Sequence, residues 1–461
     1  MIYGWQGKTA LLIGAARQGV ALARFLCNRG VKVILNDQRT ADQIPLVIQA
    51  LEGCPVQWEL GGHPVQLLDG VDVVCLSGGI PLTLPIVHEA MRREIPITND
   101  TQVFMEYVPC RVIGITGSAG KTTTTTLVGR IAQAACIPPA QAWVGGNIGL
   151  PLIDRVDEIM PRDQVVLELS SFQLEQMTHS PEVAAVLNIT PNHLDRHGTM
   201  EVYTAVKARI LEFQTSKDIA VLCREDPGSW NLRPRVKGHL LSYGWRRPED
   251  GSDGVFLASG HIRLWQNGKE APLLPVRLVE LRGTHNLLNV LAASAIAIAA
   301  GFPAAAIQAG VDGFGGVPHR LEFVRNFHGA AWYNDSIATA PERTLAAIRA
   351  FSEPLILLLG GRDKNLPWDG LVREIRSRVD HVIVFGEAAP KILAALGPVR
   401  PGQHPFSISK CNGVRQAVQM AASLSEAGDV VLFSPGGTSF DEFRDFEERG
   451  ERFREWVNQL L

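Results

Sequence analysis

RVIGITGSAGKTTTT, residues 111–125, runs from a β-branched apolar stretch through a glycine-rich turn to a lysine and a run of threonines that opens a helix. Strand, turn and helix in that order are the layout of a nucleoside triphosphate cradle. Backbone N–H groups of Gly117, Ser118, Ala119 and Gly120 and of the helix N-terminus aim at phosphate oxygens. Lys121 adds a point charge, and the hydroxyl of Thr122 or Thr123 is placed for Mg²⁺. The strict spacing asks for glycine where Ile115 stands; the glycines fall at Gly114, Gly117 and Gly120, so the loop is a variant. An ordinary strand-to-helix turn is the alternative reading. The predicted fold class is α/β, with a P-loop ATPase-like unit at its centre.

Upstream, TALLIGAARQGVALARFL, VKVILND, VDVVCLSGG and PITND alternate strand with helix, the signature of a parallel sheet. Gly14, Ala16 and Gly19 make a G-x-A-x-x-G turn after the first strand, and Asp37 ends the second, where a ribose-reading acid sits in a dinucleotide site. A nucleotide-like ligand is expected there, and a purely structural turn is the competing reading. Downstream of the P-loop, VVLELSS and VAAVLNIT continue the central unit. SYGW, GVFLA and HIRLWQNG read as short antiparallel strands, and THNLLNVLAASAIAIAAG as a helix whose apolar face packs inward, with His285, Asn286 and Asn289 at its start. A third α/β unit follows PHRLE, with strands AAWYNDS, LILLLGG, HVIVFG and DVVLFSPGG.

The chain has 461 residues, a formal charge of -3 and 20% charged residues, enough for about three domains and without the basic balance of a nucleic-acid binder. Seven scattered cysteines without a C-x-x-C pair argue for a reducing cytoplasm and against structural zinc. The longest apolar stretch, residues 287–300, is too short for a bilayer, and no basic leader precedes a cleavage site, so no membrane partner is expected.

Polar residues at the C-terminal ends of parallel strands mark the chemistry. Glu168 lies in the apolar strand VLELSS, where an acid is costly unless paired or metal-bound; satisfaction by backbone donors is the alternative. His193 and Asp195 in NHLDRHG are ligand candidates that read equally as capping or core residues. Lys207 sits in TMEVYTAVKARILEF, whose periodicity turns Val206 and Ile210 inward; alone it reads as a solvated lysine. Arg320 suits a phosphoryl group and Asp335 a ribose, against surface ion pairing. Lys364 and Ser439 lie in loops suited to a small anion, against plain solvated loops.

GITGSAGKTT, SSFQLE, NHLDRHG, YTAVKARI, GTHNLLN, PHRLE, NDSIAT, LLLGGRDK and SPGGTSFDEFRDFEERGERF occur in the order seen in the Mur ligases of peptidoglycan synthesis, and the resemblance covers nearly the whole chain. The last segment is most similar to the D-glutamate-adding members, and the DNPR motif of the diaminopimelate- or lysine-adding relatives is absent. The resemblance implies three domains: a Rossmann-like UDP-substrate domain over 1–101, a P-loop ATP domain over 102–316, and a Rossmann-like amino-acid domain over 317–461 that closes on the nucleotide. It implies ATP-dependent joining of D-glutamate to UDP-N-acetylmuramoyl-L-alanine by a cytoplasmic monomer.

Residue by residue, the resemblance assigns the ATP phosphates to Gly117–Thr123, including Lys121, and the rest of the nucleotide to Asn286, Arg320 and Asp335. Mg²⁺ falls to Thr122, Glu168 and His193, with Lys207, as a carbamate, serving a second ion. The uridine nucleotide falls to Ala15, Ala16, Asp37, Arg39, Gly79 and Asn147, together with His193, and D-glutamate to Thr339, Lys364, Ser439 and Phe446. Lys121, His193, Lys207 and Arg320 form the implied catalytic set. Ile337 stands where the family often has lysine, and Ala340 where asparagine is frequent, so a contact credited to that lysine is lost or made elsewhere. A nicotinamide oxidoreductase would use Asp37 but leave Lys121 and Glu168 idle. A nucleotide switch would not need the first hundred residues, and a folylpolyglutamate-type ligase lacks them.

Overall fold

The computed structural model describes residues 4–461 except 150, 193, 282 and 365, and for Asp195 the backbone only. The chain divides into two compact units, Met1–Phe314 and Gly315–Leu461. The first unit holds two sheets and the second holds one.

The N-terminal sheet joins β1 (Thr9–Ile13), β2 (Lys32–Asp37), β3 (Val56–Leu60), β4 (Val73–Leu76) and β5 (Ile97–Thr98) in the order β3-β2-β1-β4-β5. All its pairings are parallel. The chain leaves β1 to one side and returns for β4 on the other, so a crevice opens beyond the ends of β1 and β4, the place where open α/β sheets take ligands.

The central sheet comprises β6 (Val112–Thr116), β7 (Ala142–Gly146), β8 (Gln164–Glu168), β9 (Val183–Val186), β10 (Ile219–Cys223), β11 (His239–Tyr243), β12 (Gly254–Ala258), β13 (His261–Gln266) and β14 (Lys269–Pro275). Their order is β14-β13-β12-β11-β10-β9-β6-β8-β7. Alternate residues of the inner strands feed two cores. Val112, Leu167 and Val186 pack with Tyr203 and Ile210 of the helix Met200–Glu212, whereas Ile113, Ile115 and Val166 pack with Leu127, Ile131 and Val290 of the helices Lys121–Ala135 and Thr284–Ala299. Burial on both faces explains why these strands read as unbroken apolar runs.

One expectation is corrected here. Strand β11, which contains the SY of SYGW, pairs parallel with both β10 and β12; only β12–β13 and β13–β14 are antiparallel. The reason lies in the connections. Ser259-Gly260 and Asn267-Gly268 have left-handed φ at both positions, +49° and +69°, then +52° and +73°, as tight hairpin turns require. The segments leading into and out of β11 have no such turn. The edge strands β3 and, in the second unit, Ser407–Lys410 escape the sequence reading because half-exposed edges mix polar residues into the pattern.

The second unit carries β15 (Glu322–Phe327), β16 (Ala330–Asn334), β17 (Leu355–Gly360), β18 (Val379–Phe385), β19 (Ser407–Lys410) and β20 (Val430–Gly436) in the order β15-β16-β20-β17-β18-β19. Only β15 runs antiparallel to its neighbour. Its two faces are covered by separate cores, one around Leu357 and Trp368, the other around Trp332, Phe433 and Phe453. Among the described residues no helix is long and apolar enough to cross a membrane.

Candidate active site

Strand β6 ends at Thr116, and Gly117–Gly120 turn the chain into the helix Lys121–Ala135. Gly120 caps that helix at φ +79°, and a Cβ there would stand 2.4 Å from Asn289 Oδ1. Both facts demand glycine, because a left-handed φ costs a side-chain-bearing residue about 1–2 kcal/mol. Gly120→Ala is therefore expected to lower stability by at least that amount in denaturant unfolding; an unchanged midpoint would contradict the crowding.

Asn188, at the end of VAAVLN, braces the turn: its Oδ1 accepts the Ala119 N–H at 2.8 Å, and its Nδ2 donates to Ala119 O at 3.0 Å. Ser118 Oγ donates to Thr190 O and lies 3.1 Å from the Tyr203 hydroxyl. Lys121 Nζ donates to Gly117 O at 2.9 Å, so its charge sits over the turn. Asn289 Nδ2 donates to Asn286 Oδ1, which links Asn286 to the same turn.

Lys207 is 1% exposed, which removes the solvated reading. It projects from the helix Met200–Glu212 under the sheet, where Nζ donates to Thr116 Oγ1 at 3.3 Å and lies 4.9 Å from the centre of the Tyr203 ring. Burial, and then the nearby Lys121 charge, bring its pKa down to about 7, with Glu168 pulling the other way. A share of the amine is therefore neutral and nucleophilic near physiological pH.

Glu168 ends β8 and is 2% exposed. Asn147 Nδ2 donates to its Oε1 at 2.9 Å, while Oε2 is buried with no hydrogen-bond partner among the described residues. Backbone donors thus do not satisfy the side chain. A buried carboxylate oxygen with a free lone pair is costly unless a cation meets it, and that fits a hard metal ion. Among the described residues no group of three or more His, Cys, Asp or Glu forms a metal cage. His193 lies outside the described residues. The structure brings Asn147 to Glu168.

At that crevice, Gly14 takes φ +100° and its carbonyl accepts the Ser77 hydroxyl at 2.7 Å, joining the two loops that flank the switch from β1 to β4. Asp37 accepts the Ala15 N–H at 2.8 Å and a bidentate pair from Arg39, whose Nη2 also donates to Ala15 O. These bonds, the Arg39 guanidinium first, hold the Asp37 carboxyl well below the usual range. Both of its oxygens are engaged within the protein. Ala16 caps the helix Arg17–Cys27 with no side-chain bond, and a Cβ at Gly79 would meet nothing within 4 Å, so the mouth of the crevice is open there.

In the second unit, the loops after β16, β17 and β20 meet at the C-terminal edge of their sheet. Gly436 N donates to Ala338 O, and Arg362 and Thr438 exchange backbone bonds. Lys364, exposed, has Nζ 3.4 Å from Thr339 Oγ1, whereas Ser439 is buried, its carbonyl accepting from Glu442 and Phe443. The Phe446 carbonyl accepts the Ser336 hydroxyl at 2.8 Å. The structure therefore brings Thr339 and Lys364 together and ties the Phe446 helix start to the same loop.

Asp335 is buried rather than in a surface ion pair. Burial pushes it up to about 7, although the Ser434 hydroxyl, the Leu321 N–H and the Arg320 charge favour its ionised form. The folded state holds a proton that the unfolded chain has released between about pH 4 and 7, so this group lowers stability progressively as pH rises through that window. Asp335→Asn is expected to flatten that part of the stability–pH curve, by up to about 4 kcal/mol; an unchanged slope would show that Asp335 is ionised throughout.

Sequence reasoning missed Thr116, Asn188, Tyr203 and Arg449. Arg449, in FEERG, looks like a member of a charged surface helix, yet it is 1% exposed. It donates to Ser336 Oγ, Ser336 O and Gly437 O, at 3.0, 2.8 and 3.1 Å, stapling the loops after β16 and β20.

Models of three protein domains match the chain: the Mur ligase MurD-like N-terminal domain over residues 8–99, the Mur ligase middle domain over 115–297 and the Mur ligase glutamate ligase domain over 319–437. The chain is 38% identical over 453 residues to the UDP-N-acetylmuramoylalanine--D-glutamate ligase of Symbiobacterium thermophilum, covering 98% of each. Against the enzyme of the same name from Pelotomaculum thermopropionicum it is 38% identical over 461 residues, covering 100% of this chain and 99% of the relative. Among solved structures, the UDP-N-acetylmuramate-alanine ligase of Thermotoga maritima superposes with a TM-score of 0.56 at 17% identity, covering 98% of this chain and 99% of that one. The MurF ligase of Thermotoga maritima, solved in complex with ADP, gives 0.52 at 20% identity over 85% and 90%.

Proposed function

The chain belongs to the Mur ligase family, and on that premise we propose how its residues divide an ATP-driven amide ligation. The reaction is the ATP-dependent addition of D-glutamate to UDP-N-acetylmuramoyl-L-alanine in peptidoglycan precursor synthesis, the activity for which the full-length relatives are named. The observation that carries the assignment of roles is the cluster of Lys121, Lys207, Thr116 and Glu168 around the glycine turn.

A carboxylate in water is a poor electrophile, so its oxygen must first become a leaving group. The L-alanine carboxylate takes the γ-phosphoryl group of ATP, giving an acyl phosphate and ADP; the D-glutamate amine then attacks the carbonyl and phosphate departs. Lys121 and the N–H groups of Gly117–Thr123 hold the phosphates, their charge matched to the developing oxyanions. Glu168 and Thr122, with His193, would hold Mg²⁺, whose charge neutralises the phosphate oxygens when bound. Lys207 supplies a neutral amine able to take up CO₂, and the resulting carbamate would offer oxygens to a second ion. Asn147 fixes the Glu168 carboxyl so that its second oxygen faces the site.

Asn286, Arg320 and Asp335 serve the remainder of ATP. Ala15, Ala16, Asp37, Arg39, Gly79 and Asn147, together with His193, take the uridine nucleotide, and Asp37 also holds Arg39 in place. Thr339, Lys364, Ser439 and Phe446 take D-glutamate, on loops held by Arg449. Free thiols at all seven cysteines suit the reducing cytoplasm where this reaction is placed.

The test is phosphate release from MgATP with UDP-N-acetylmuramoyl-L-alanine, comparing D-glutamate with L-glutamate, L-lysine, meso-diaminopimelate and no amino acid. Release confined to D-glutamate supports the reading and shows that Ile337 is compatible with it; release with another acceptor reassigns the specificity. Arg449→Lys keeps a charge but not the three-way fork, so it is expected to raise KM for D-glutamate about tenfold while leaving KM for ATP in place. A uniform fall in kcat with both KM values unchanged would mean that Arg449 only supports the fold.

A further inference from the structure

The loops that follow β10 and β11 enclose a cavity of about 610 Å³ that none of the roles above uses. It lies at the C-terminal edge of the central sheet, with β9 between β10 and the phosphate-loop strand β6. Four arginines line it, Arg224, Arg233, Arg246 and Arg247, together with Trp230 and Trp245.

Arg224 is built into this place. It is half-buried, and a Cβ on Gly244 would lie 3.2 Å from its Nε, while one on Gly254 would lie 2.7 Å from its Nη1. Neither glycine has a left-handed φ; a Cβ on Gly244 would meet Glu225 Oε1 first, at 2.5 Å, and one on Gly254 would also stand 2.7 Å from Pro248 Cγ, so the guanidinium shares the room at both glycines with these neighbours. The hydrogen bonds of that guanidinium go to neutral acceptors, Ser242 Oγ and the carbonyls of Arg246 and Val255. Burial pulls its pKa down, with the charge of Glu225 pulling the other way.

Three carboxylates also line it, Glu225, Glu249 and Asp250, against the four arginines, and two of these carboxylates already have work. Glu225 Oε1 accepts the Trp245 N–H, and Asp250 Oδ1 accepts the N–H and hydroxyl of Ser252. Arg233 lies over the Trp230 ring at 4.4 Å and Arg247 over the Trp265 ring at 3.3 Å, so each exposed cation rests against an indole face. A cavity of this size lined by guanidinium groups and indole rings offers charge for a phosphate and apolar faces for a planar ring.

We propose that this cavity, formed by Arg224, Arg233, Arg246, Trp230 and Trp245, is a second nucleotide-binding site, separate from the phosphate loop and from the N-terminal crevice. Stacking on indole is tolerant of base identity, so a purine monophosphate serves as a probe that lacks both the triphosphate held by the turn and the uracil ring.

The experiment is calorimetric titration of the full-length protein with GMP, with guanosine and inorganic phosphate as separate arms. The expected result is one saturable GMP site per chain, binding each fragment at least tenfold more weakly. That site should be retained in Lys121→Ala and weakened at least tenfold in Trp245→Ala and, independently, in Arg246→Ala. Both pocket variants should keep D-glutamate-dependent ATP turnover, which shows that they fold. Absence of saturable GMP binding, loss of it in Lys121→Ala with retention in the pocket variants, or equal affinity for phosphate alone would each overturn the proposal.

Discussion

Lys207→Ala is expected to abolish turnover to within about one part in 10³ while ATP still binds, because it removes a charge-bearing group from the heart of the site. Lys207→Met separates chemistry from packing: it fills the volume beside Tyr203 but cannot carry a carbamate. If the methionine variant worked near the wild-type rate, the carbamate role would be wrong. The pH dependence has a definite sign. With the folded pKa near 7 and the unfolded one at 10.5, the native state binds fewer protons between them, so Lys207 makes stability rise with pH across that window. Below pH 7 the buried amine is increasingly a cation and unreactive toward CO₂. Activity should fall there, and added bicarbonate should partly restore it. Protein equilibrated with ¹³CO₂ should show a carbamate carbon resonance that is missing from Lys207→Met.

Lys121→Ala is expected to lower kcat on the order of 10²–10³ and to weaken ATP binding, since the charge over the glycine turn is lost. Its second effect reaches Lys207. The Lys121 charge helps to keep the Lys207 amine neutral, so its removal should raise the Lys207 pKa and shift the acid limb of the rate profile toward higher pH. The double variant should then lose much less than the product of the two single losses, as groups acting as one unit do. Strictly multiplicative losses, read from steady-state kinetics, would show that the two lysines work independently.

Much of the architecture was legible because its signals are local. The apolar run VIGIT followed by Gly117–Gly120 and Lys121 can be read without knowing what packs on it, since strand, turn and helix terminus are made by neighbouring residues. The strand and helix alternation of all three sheets is local in the same sense. The direction of β11 was not, because direction depends on the path of the connections and a run such as LLSY reads alike in either sense.

The site divides along the same line. Sequence by itself determined which residue types stand at the strand ends: Glu168, Asp335 and the lysine of the phosphate loop. Only the tertiary structure decided their state. Lys207 looks like one more solvated cation on an amphipathic helix until the sheet covers it and places Thr116, 91 residues away, against its amine. Arg449 looks like part of a charged surface helix until the loop at Ser336, 113 residues away, closes around its guanidinium. Asp37 stands where a ribose-binding acid would, and the fold also lays the Ala15 N–H, 22 residues away, against its carboxylate. Periodicity reports which face of an element turns inward, whereas a charge's pKa and partners depend on what the rest of the chain lays over that face, and elements far apart in sequence supply it.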